Sequence, residues 1–376
     1  MSWSVKTLRR AAGFACVGLV LAGCAGTPKP DPSPLELLAP QVSGRQVWKQ
    51  GLGSVKFPLA VAVNGGTFTV ADDSGTVMAL QADTGNPLWR TEVGDKLSAG
   101  VGSDGRFASV VTRDNELVTL DGGKPLWRQQ LPSRVVTAPL VAGERVFVLA
   151  VDRSVHAFDA LDGRKLWTYK RPNDALTLAS PGLLAPFKDT LLVGQGPKLA
   201  GLDPLRGTLR WEATLASPRG TNEIERLADL LGPAARMGDV ICARAYQAAV
   251  ACVNAERGNV LWTRNAGGVS GLGADAQMVA GVDASDRVTA WRTADGTVAW
   301  TVEKLLYRNL SAPLAVGKAF VLGDLEGMVH WFARDTGEAV LRLPTDGTPI
   351  QVAPVASGLT LLIVTRDGGL FAFRPE

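Results

Sequence analysis

Few side chains in this sequence could do bond-making chemistry. Its 376 residues include two histidines, His156 and His330, and four cysteines. An imidazole moves protons near neutral pH and ligates metals when other ligands stand at the right spacing. Neither histidine has such company: there is no HExxH, no histidine cluster and no cysteine pair at metal spacing. Each sits near the start of a short apolar run, so both read as packed strand residues. Gly100-Val101-Gly102-Ser103-Asp104-Gly105 fits G-x-G-x-x-G. A dinucleotide loop must open a helix, however, and Arg106 to Val111 reads as a strand. Gly271-Leu272-Gly273 occupies the same place in another unit, so both stretches are expected to be hairpin turns. Asp72-Asp73 and Asp324-Leu325-Glu326-Gly327 are turn acids without calcium-loop spacing. No catalytic residue, metal site or cofactor is expected. Cys242 and Cys252 flank a hairpin centred near Gln247 and could face each other. An exported protein permits a disulfide there, but adjacent strands often miss its narrow geometry, so bridge and free thiols both stay open.

The elements that would position these groups come from a repeat. A glycine four residues before a tryptophan recurs at Gly44–Trp48, Gly85–Trp89, Gly123–Trp127, Gly163–Trp167, Gly207–Trp211, Gly258–Trp262 and Gly296–Trp300. Gly337–Leu341 keeps the spacing and loses the ring. The intervals between glycines are 41, 38, 40, 44, 51, 38 and 41 residues. A period near forty with one aromatic per unit points to a β-propeller rather than a helical solenoid.

Within a unit such as 139–167, apolar alternation is cut by Gly143-Glu144, Asp152-Arg153-Ser154 and Leu161-Asp162-Gly163. That makes four short strands joined by tight turns. A twisted four-stranded sheet cannot bury both faces alone. The seven tryptophans are therefore expected to dock each blade on the next, each ring burying roughly 150–250 Å². The first Gly–Trp pair lacks preceding strands, and residues 351–374 supply three strands and stop. Joined, they complete an all-β, eight-bladed propeller of four-stranded antiparallel blades, closed by pairing of the N- and C-terminal strands. Residues 217–237 interrupt the fifth unit. Ile224, Leu227, Leu230 and Leu231 have helical spacing, Asn222 with Glu225 resembles a capping box, and Gly232-Pro233 reads as a stop. A short surface helix on a binding face is expected there.

The first 23 residues read as a leader: Lys6, Arg9 and Arg10, then the apolar run 11–22, too short to span a bilayer. Leu21-Ala22-Gly23-Cys24 resembles the bacterial lipobox, in which the thiol takes a diacylglycerol. Residues 24–41, rich in proline, read as an extended lipidated tether, and 42–376 as the propeller. Ala25 is not the aspartate that marks inner-membrane retention in such lipoproteins, which points to the outer membrane, facing the periplasm. Loss of the leader removes three of 39 basic residues and none of 36 acidic ones, leaving a formal charge of zero. No basic block remains to drive nucleic-acid binding.

The Asp83-Thr84-Gly85…Trp89 unit resembles the quinoprotein-type propeller repeat. With the lipobox, tether and single ring, the whole chain resembles the BamB family, lipoprotein subunits of the machinery that inserts β-barrels into the outer membrane. Its most specific matches are Gly220 to Asp229, similar to the family's G-x-T-E-I-D-R-L-x-D, and Leu305-Leu306-Tyr307-Arg308 with Gly323 to Trp331. The resemblance implies docking on the periplasmic domains of the machinery's central barrel subunit through two loops, and unfolded barrel strands as candidate cargo. The family's L-x-L-R loop matches Leu176-Thr177-Leu178, with Ala179 in place of the arginine. Its R-L-x-D-x-D segment matches Arg226, Leu227 and Asp229, with Leu231 at the second acid. Leu176 and Leu178 are then expected as apolar anchors, Arg226 and Asp229 as orienting charges. Two other readings compete. A quinone-dependent dehydrogenase shares the repeat but carries adjacent cysteines and a calcium site, and no Cys-Cys pair exists here. An envelope lipoprotein binding another protein or a glycan is the third.

Overall fold

Apolar alternation broken every five or six residues by Gly, Asp or Asn yields strands that can only fold back on their neighbours. In the computed structural model, which describes residues 30–171, 176–217 and 220–375, these strands form eight four-stranded antiparallel sheets. Blades 1 to 7 are sequential: 62–92, 102–130, 140–169, 184–214, 230–265, 272–302 and 314–344. Blade 8 pairs the N-terminal strand Gly44–Gly51 with the C-terminal strand Gly369–Pro375, from Gly44 opposite Pro375 to Gly51 opposite Gly369. Closure by the two ends of residues 33–376 leaves no blade short of a strand.

Position within a blade sets burial. The second and third strands face a neighbouring blade on both sides, so Phe107–Val111 and Thr190–Gln195 are buried along their whole length. The outer strand Pro87–Glu92 keeps an exposed face. The inner strands surround an apolar cavity of about 820 Å³ that Phe57, Pro181, Pro233 and Val352 help to line. Here the expectation for Gly100 to Gly105 is corrected. Gly102 starts an inner strand, and a Cβ on it would strike the Pro139 carbonyl of the next blade. Gly273 meets Pro313 in the same way. These glycines admit close backbone approach; in that stretch only Gly105, at φ 98°, is a turn glycine.

The Gly–Trp repeat is a lock between successive blades. A Cβ on Gly85 would lie 2.5 Å from Trp48, one on Gly123 2.6 Å from Trp89, and one on Gly163 2.6 Å from Trp127. Gly207, Gly258, Gly296 and Gly337 face Trp167, Trp211, Trp262 and Trp300 likewise. All seven glycines have positive φ, near 70–84°, so this position demands glycine twice, for conformation and for space. The indole N–H of Trp48, Trp127, Trp167, Trp262 and Trp300 donates to the carbonyl three residues before the facing glycine, at 2.7–3.0 Å.

Two segments depart from expectation. Residues 217–237 contain no helix among those described. Residues 223–226 form one turn, and Leu230–Met237 is the inner strand of blade 5. Half of the capping box forms: Glu225 N donates to Asn222 Oδ1 at 2.9 Å, while Glu225 Oε2 accepts from Thr221 N, at 2.7 Å, rather than from Asn222 N. The leucines after them are strand residues, because the ring needs an inner strand there more than one turn needs extending. Gly232-Pro233 sits in the irregular stretch of that strand, between Leu231 and Ala235. Residues 33–41 have no regular secondary structure, yet they are laid on the ring. Ser33 N donates to Leu306 O, Gln41 N to Val340 O, and Leu35 packs against the apolar cluster to which Leu305, Leu310 and Phe332 belong. The leader and Cys24 lie outside the described residues.

Candidate partner-binding face

In blades 1, 6 and 7 the turn between the second and third strands carries an acid that folds it. Asp72 Oδ1 accepts from Ser74 N and Thr76 N, each at 2.9 Å, and Asp324 Oδ1 accepts from Glu326 N and Met328 N, each at 2.9 Å. The turn then needs one residue at positive φ, supplied by Gly75, Asn115, Gln247, Asp286, Gly327 and Gly368 in six blades. In blade 3 it is Arg153, at φ 61°. A long side chain held in that region is a reason to look for what it does.

Arg153 reaches across to the loop that precedes blade 5. Its Nε donates to Asp229 Oδ1 at 2.9 Å, and both side chains are about 15% exposed. The other oxygen, Asp229 Oδ2, accepts from Leu178 N at 3.1 Å. Arg153 Nη2 also donates to Leu176 O at 3.4 Å, and Gln195 Nε2 to Arg153 O at 3.0 Å. One ion pair thus ties three stretches, 151–154, 176–178 and 227–230, into a single surface. Of the sequence-derived residues, it brings Leu176, Leu178 and Asp229 together. Leu176 is exposed and Leu178 half-buried, an arrangement that offers apolar area without letting the loop collapse. Arg226 is exposed, with Nε donating to Gly220 O at 3.2 Å, and the next residue, Leu227, is half-buried. Ile224, 72% exposed, is a further apolar group beside them in the chain. Both oxygens of Asp229 are engaged within the chain, so its carboxylate braces the surface. Arg153 was not found from the sequence. The signal was an arginine where the sister turns carry Gly, Asn, Asp or Gln.

Cys242 and Cys252 stand directly opposite on adjacent strands of blade 5 and form a disulfide, with Cα atoms 4.0 Å apart. His156 is buried, its ring nitrogens 3.0 Å from Ser154 Oγ and 3.1 Å from Thr168 Oγ1. His330 is buried with Nε2 2.9 Å from Asp324 Oδ2, and Arg342 Nε donates to its Nδ1 at 3.2 Å. That donation fixes Nδ1 as acceptor, so the ring is neutral with its proton on Nε2. Burial lowers both histidine pKa values. Lys165 and Lys170 add to the fall at His156, while Asp324 opposes it at His330. A histidine with a depressed folded pKa stabilises the fold above its unfolded value, about 6.5. That contribution is lost as pH falls through the folded value, because the unfolded chain binds the proton first. Urea midpoints measured from pH 7.5 down to 5 should therefore fall. The fall should be smaller in His156→Gln; an unchanged slope in that variant would contradict the reading.

Comparison with known proteins agrees with this architecture. The family model described as outer membrane protein assembly factor BamB matches residues 36–97 and 83–302. The outer membrane protein assembly factor BamB of Burkholderia pseudomallei is 35% identical over 98% of this chain and 99% of its own. The crystal structure of BamB from Moraxella catarrhalis superposes with a TM-score of 0.80 at 23% identity, covering 88% of this chain and all of that one. The quinohemoprotein alcohol dehydrogenase of Comamonas testosteroni has a TM-score of 0.64 at 15% identity, covering 88% of this chain and 76% of that one. The last likeness is one of fold alone.

Proposed function

Because this chain belongs to the BamB family of outer membrane protein assembly factors, we propose that it is a non-catalytic scaffold of outer-membrane β-barrel assembly, docking on the periplasmic domains of the machinery's central barrel subunit. The observation that carries the docking is the clamp of Arg153 and Asp229. It holds Leu176 and Leu178 in one surface braced on Asp229, which Arg226 and Leu227 precede in the chain. Pre-organised apolar groups ringed by charge are what a protein–protein hot spot requires, since little ordering remains to be done on binding. Export and diacylation at Cys24 would hold the ring at the inner leaflet of the outer membrane, and more than one acyl chain makes such anchoring stable. Unfolded barrel strands are a candidate cargo within the same reading.

Leu178→Asp is the discriminating variant, because Leu178 is half-buried at this surface and what it gives the brace is its backbone N–H, which the substitution keeps. Co-purification with the central subunit should drop by at least about tenfold, the order of one buried anchor, while the melting temperature stays within a degree or two of wild type. Undiminished co-purification with a folded ring would refute this docking surface.

A further inference from the structure

Seven blade junctions share one construction, and the eighth inverts it. In seven blades the outer-strand tryptophan stands opposite a small third-strand residue: Ala79, Thr119, Ala157, Gly201, Cys252, Ala290 and Ala372 opposite Trp89, Trp127, Trp167, Trp211, Trp262, Trp300 and Trp48. In blade 7 the outer-strand residue is Leu341, and the residue opposite it is Trp331. The facing glycine is still present: a Cβ on Gly44 would lie 3.0 Å from Leu341 Cδ2. Trp331 meets Phe373 of blade 8 edge-on, with centroids 6.1 Å apart. The relocated indole does not refill the seam. An apolar pocket of about 460 Å³ remains, lined by Gly44, Leu341, Leu361, Trp331, Phe373 and the 72% exposed Leu359. The charged residues lining it are Lys318 and Arg374, both cationic. Arg374 is shared with Asp83, and Lys318 interacts electrostatically with Asp335, which lies outside the pocket lining.

We propose that this closing seam is a binding site for an aromatic side chain carried beside a carboxylate on an extended partner segment. The sister seams show what such a space holds when filled: a planar ring against the glycine of the next blade, its edge bonded to backbone. The cationic rim selects acidic flanking groups, and a positive charge at the mouth disfavours basic ones. The pocket lies by Val316-Gly317-Lys318 and Gly358-Leu359, turns between first and second strands. Arg153 lies in a turn between second and third strands. These turns occupy opposite ends of the strands, so the pocket opens on the face away from Leu178, and both could be occupied at once.

The test uses the intact chain and three capped tripeptides: Asp-Trp-Asp, Lys-Trp-Lys and Asp-Leu-Asp. Binding is followed by isotope-edited NMR. Asp-Trp-Asp should bind at least about tenfold more tightly than either other peptide, a difference readable at millimolar affinity. The swap Trp331→Ala with Leu341→Trp rebuilds the arrangement of Ala290 and Trp300. It should abolish binding while leaving the unfolding midpoint at or above wild type. Leu359→Asp, at the exposed rim, should weaken binding without touching the core, so the site stays testable if the swap fails to fold. Equal binding of Asp-Leu-Asp, or binding unchanged in Leu359→Asp, would overturn the proposal.

Discussion

Replacing Asp324 by alanine should cost about 3–5 kcal/mol, because it strips the counter-ion from a buried charge. The carboxylate is fully buried and the Arg308 side chain 3% exposed, with Nε to Oδ2 at 2.8 Å. Burial alone would raise the Asp324 pKa, but hydrogen bonds from His330 and Met328 and the Arg308 guanidinium hold it below the ordinary carboxylate value. Truncation leaves Arg308 with only Glu326, which is largely exposed, for charge compensation. It also orphans the His330 N–H and the two backbone donors of the turn. The damage should spread to the N-terminal segment, since Arg308 Nη1 donates to Ser33 O at 2.9 Å and Arg342 Nη1 to Glu36 O at 2.8 Å. Limited proteolysis of Asp324→Ala should therefore cut within residues 33–41 well before it cuts the blades. Asp324→Asn keeps the turn acceptor and should fall between. A urea midpoint for Asp324→Ala within about 1 kcal/mol of wild type would mean that water already compensates Arg308.

The second large effect concerns a seam. Trp262 is 6% exposed, donates to Thr293 O at 2.8 Å and covers Gly296. Its truncation to alanine should cost about 3–5 kcal/mol, the range for a large buried aromatic. Gly296→Val should cost a similar amount by the opposite route: φ is 71°, and a Cβ would lie 2.6 Å from the indole. The pair is informative together. Removing the ring removes the collision, so the double variant should be less destabilised than the sum of the singles, by about 1–3 kcal/mol. Strict additivity would show that ring and glycine are not in contact. Trp262→Phe should recover much of the packing but not the hydrogen bond, leaving a deficit near 1 kcal/mol.

What could be read from the sequence was local. Strand alternation, turn residues and the Gly–Trp spacing are short-range signals repeated many times, and their repetition fixed the ring and its closure before any long-range contact was known. The misread stretch, 217–237, shows the limit of periodicity. Ile224, Leu227, Leu230 and Leu231 fit one helical face, yet Leu230 and Leu231 are the first residues of an inner strand, because the ring imposes a strand there. The glycines at 100, 102, 271 and 273 looked like turn residues. Their cause is the neighbouring blade's backbone, which no local pattern reveals. In the candidate site, the two leucines were visible by resemblance. Arg153 was not, because its partner Asp229 is 76 residues away. The inverted pair at Trp331 and Leu341 needed the strand register before it meant anything.

The decisive measurement is photo-crosslinking in intact cells from a reactive residue placed at position 178, with one at position 359 as a control on the other face of the ring. Position 178 should capture the periplasmic part of the central barrel subunit, and position 359 should not. Capture of that subunit from position 359 alone, or of none of it from position 178, would contradict docking through the face that Arg153 and Asp229 hold in place.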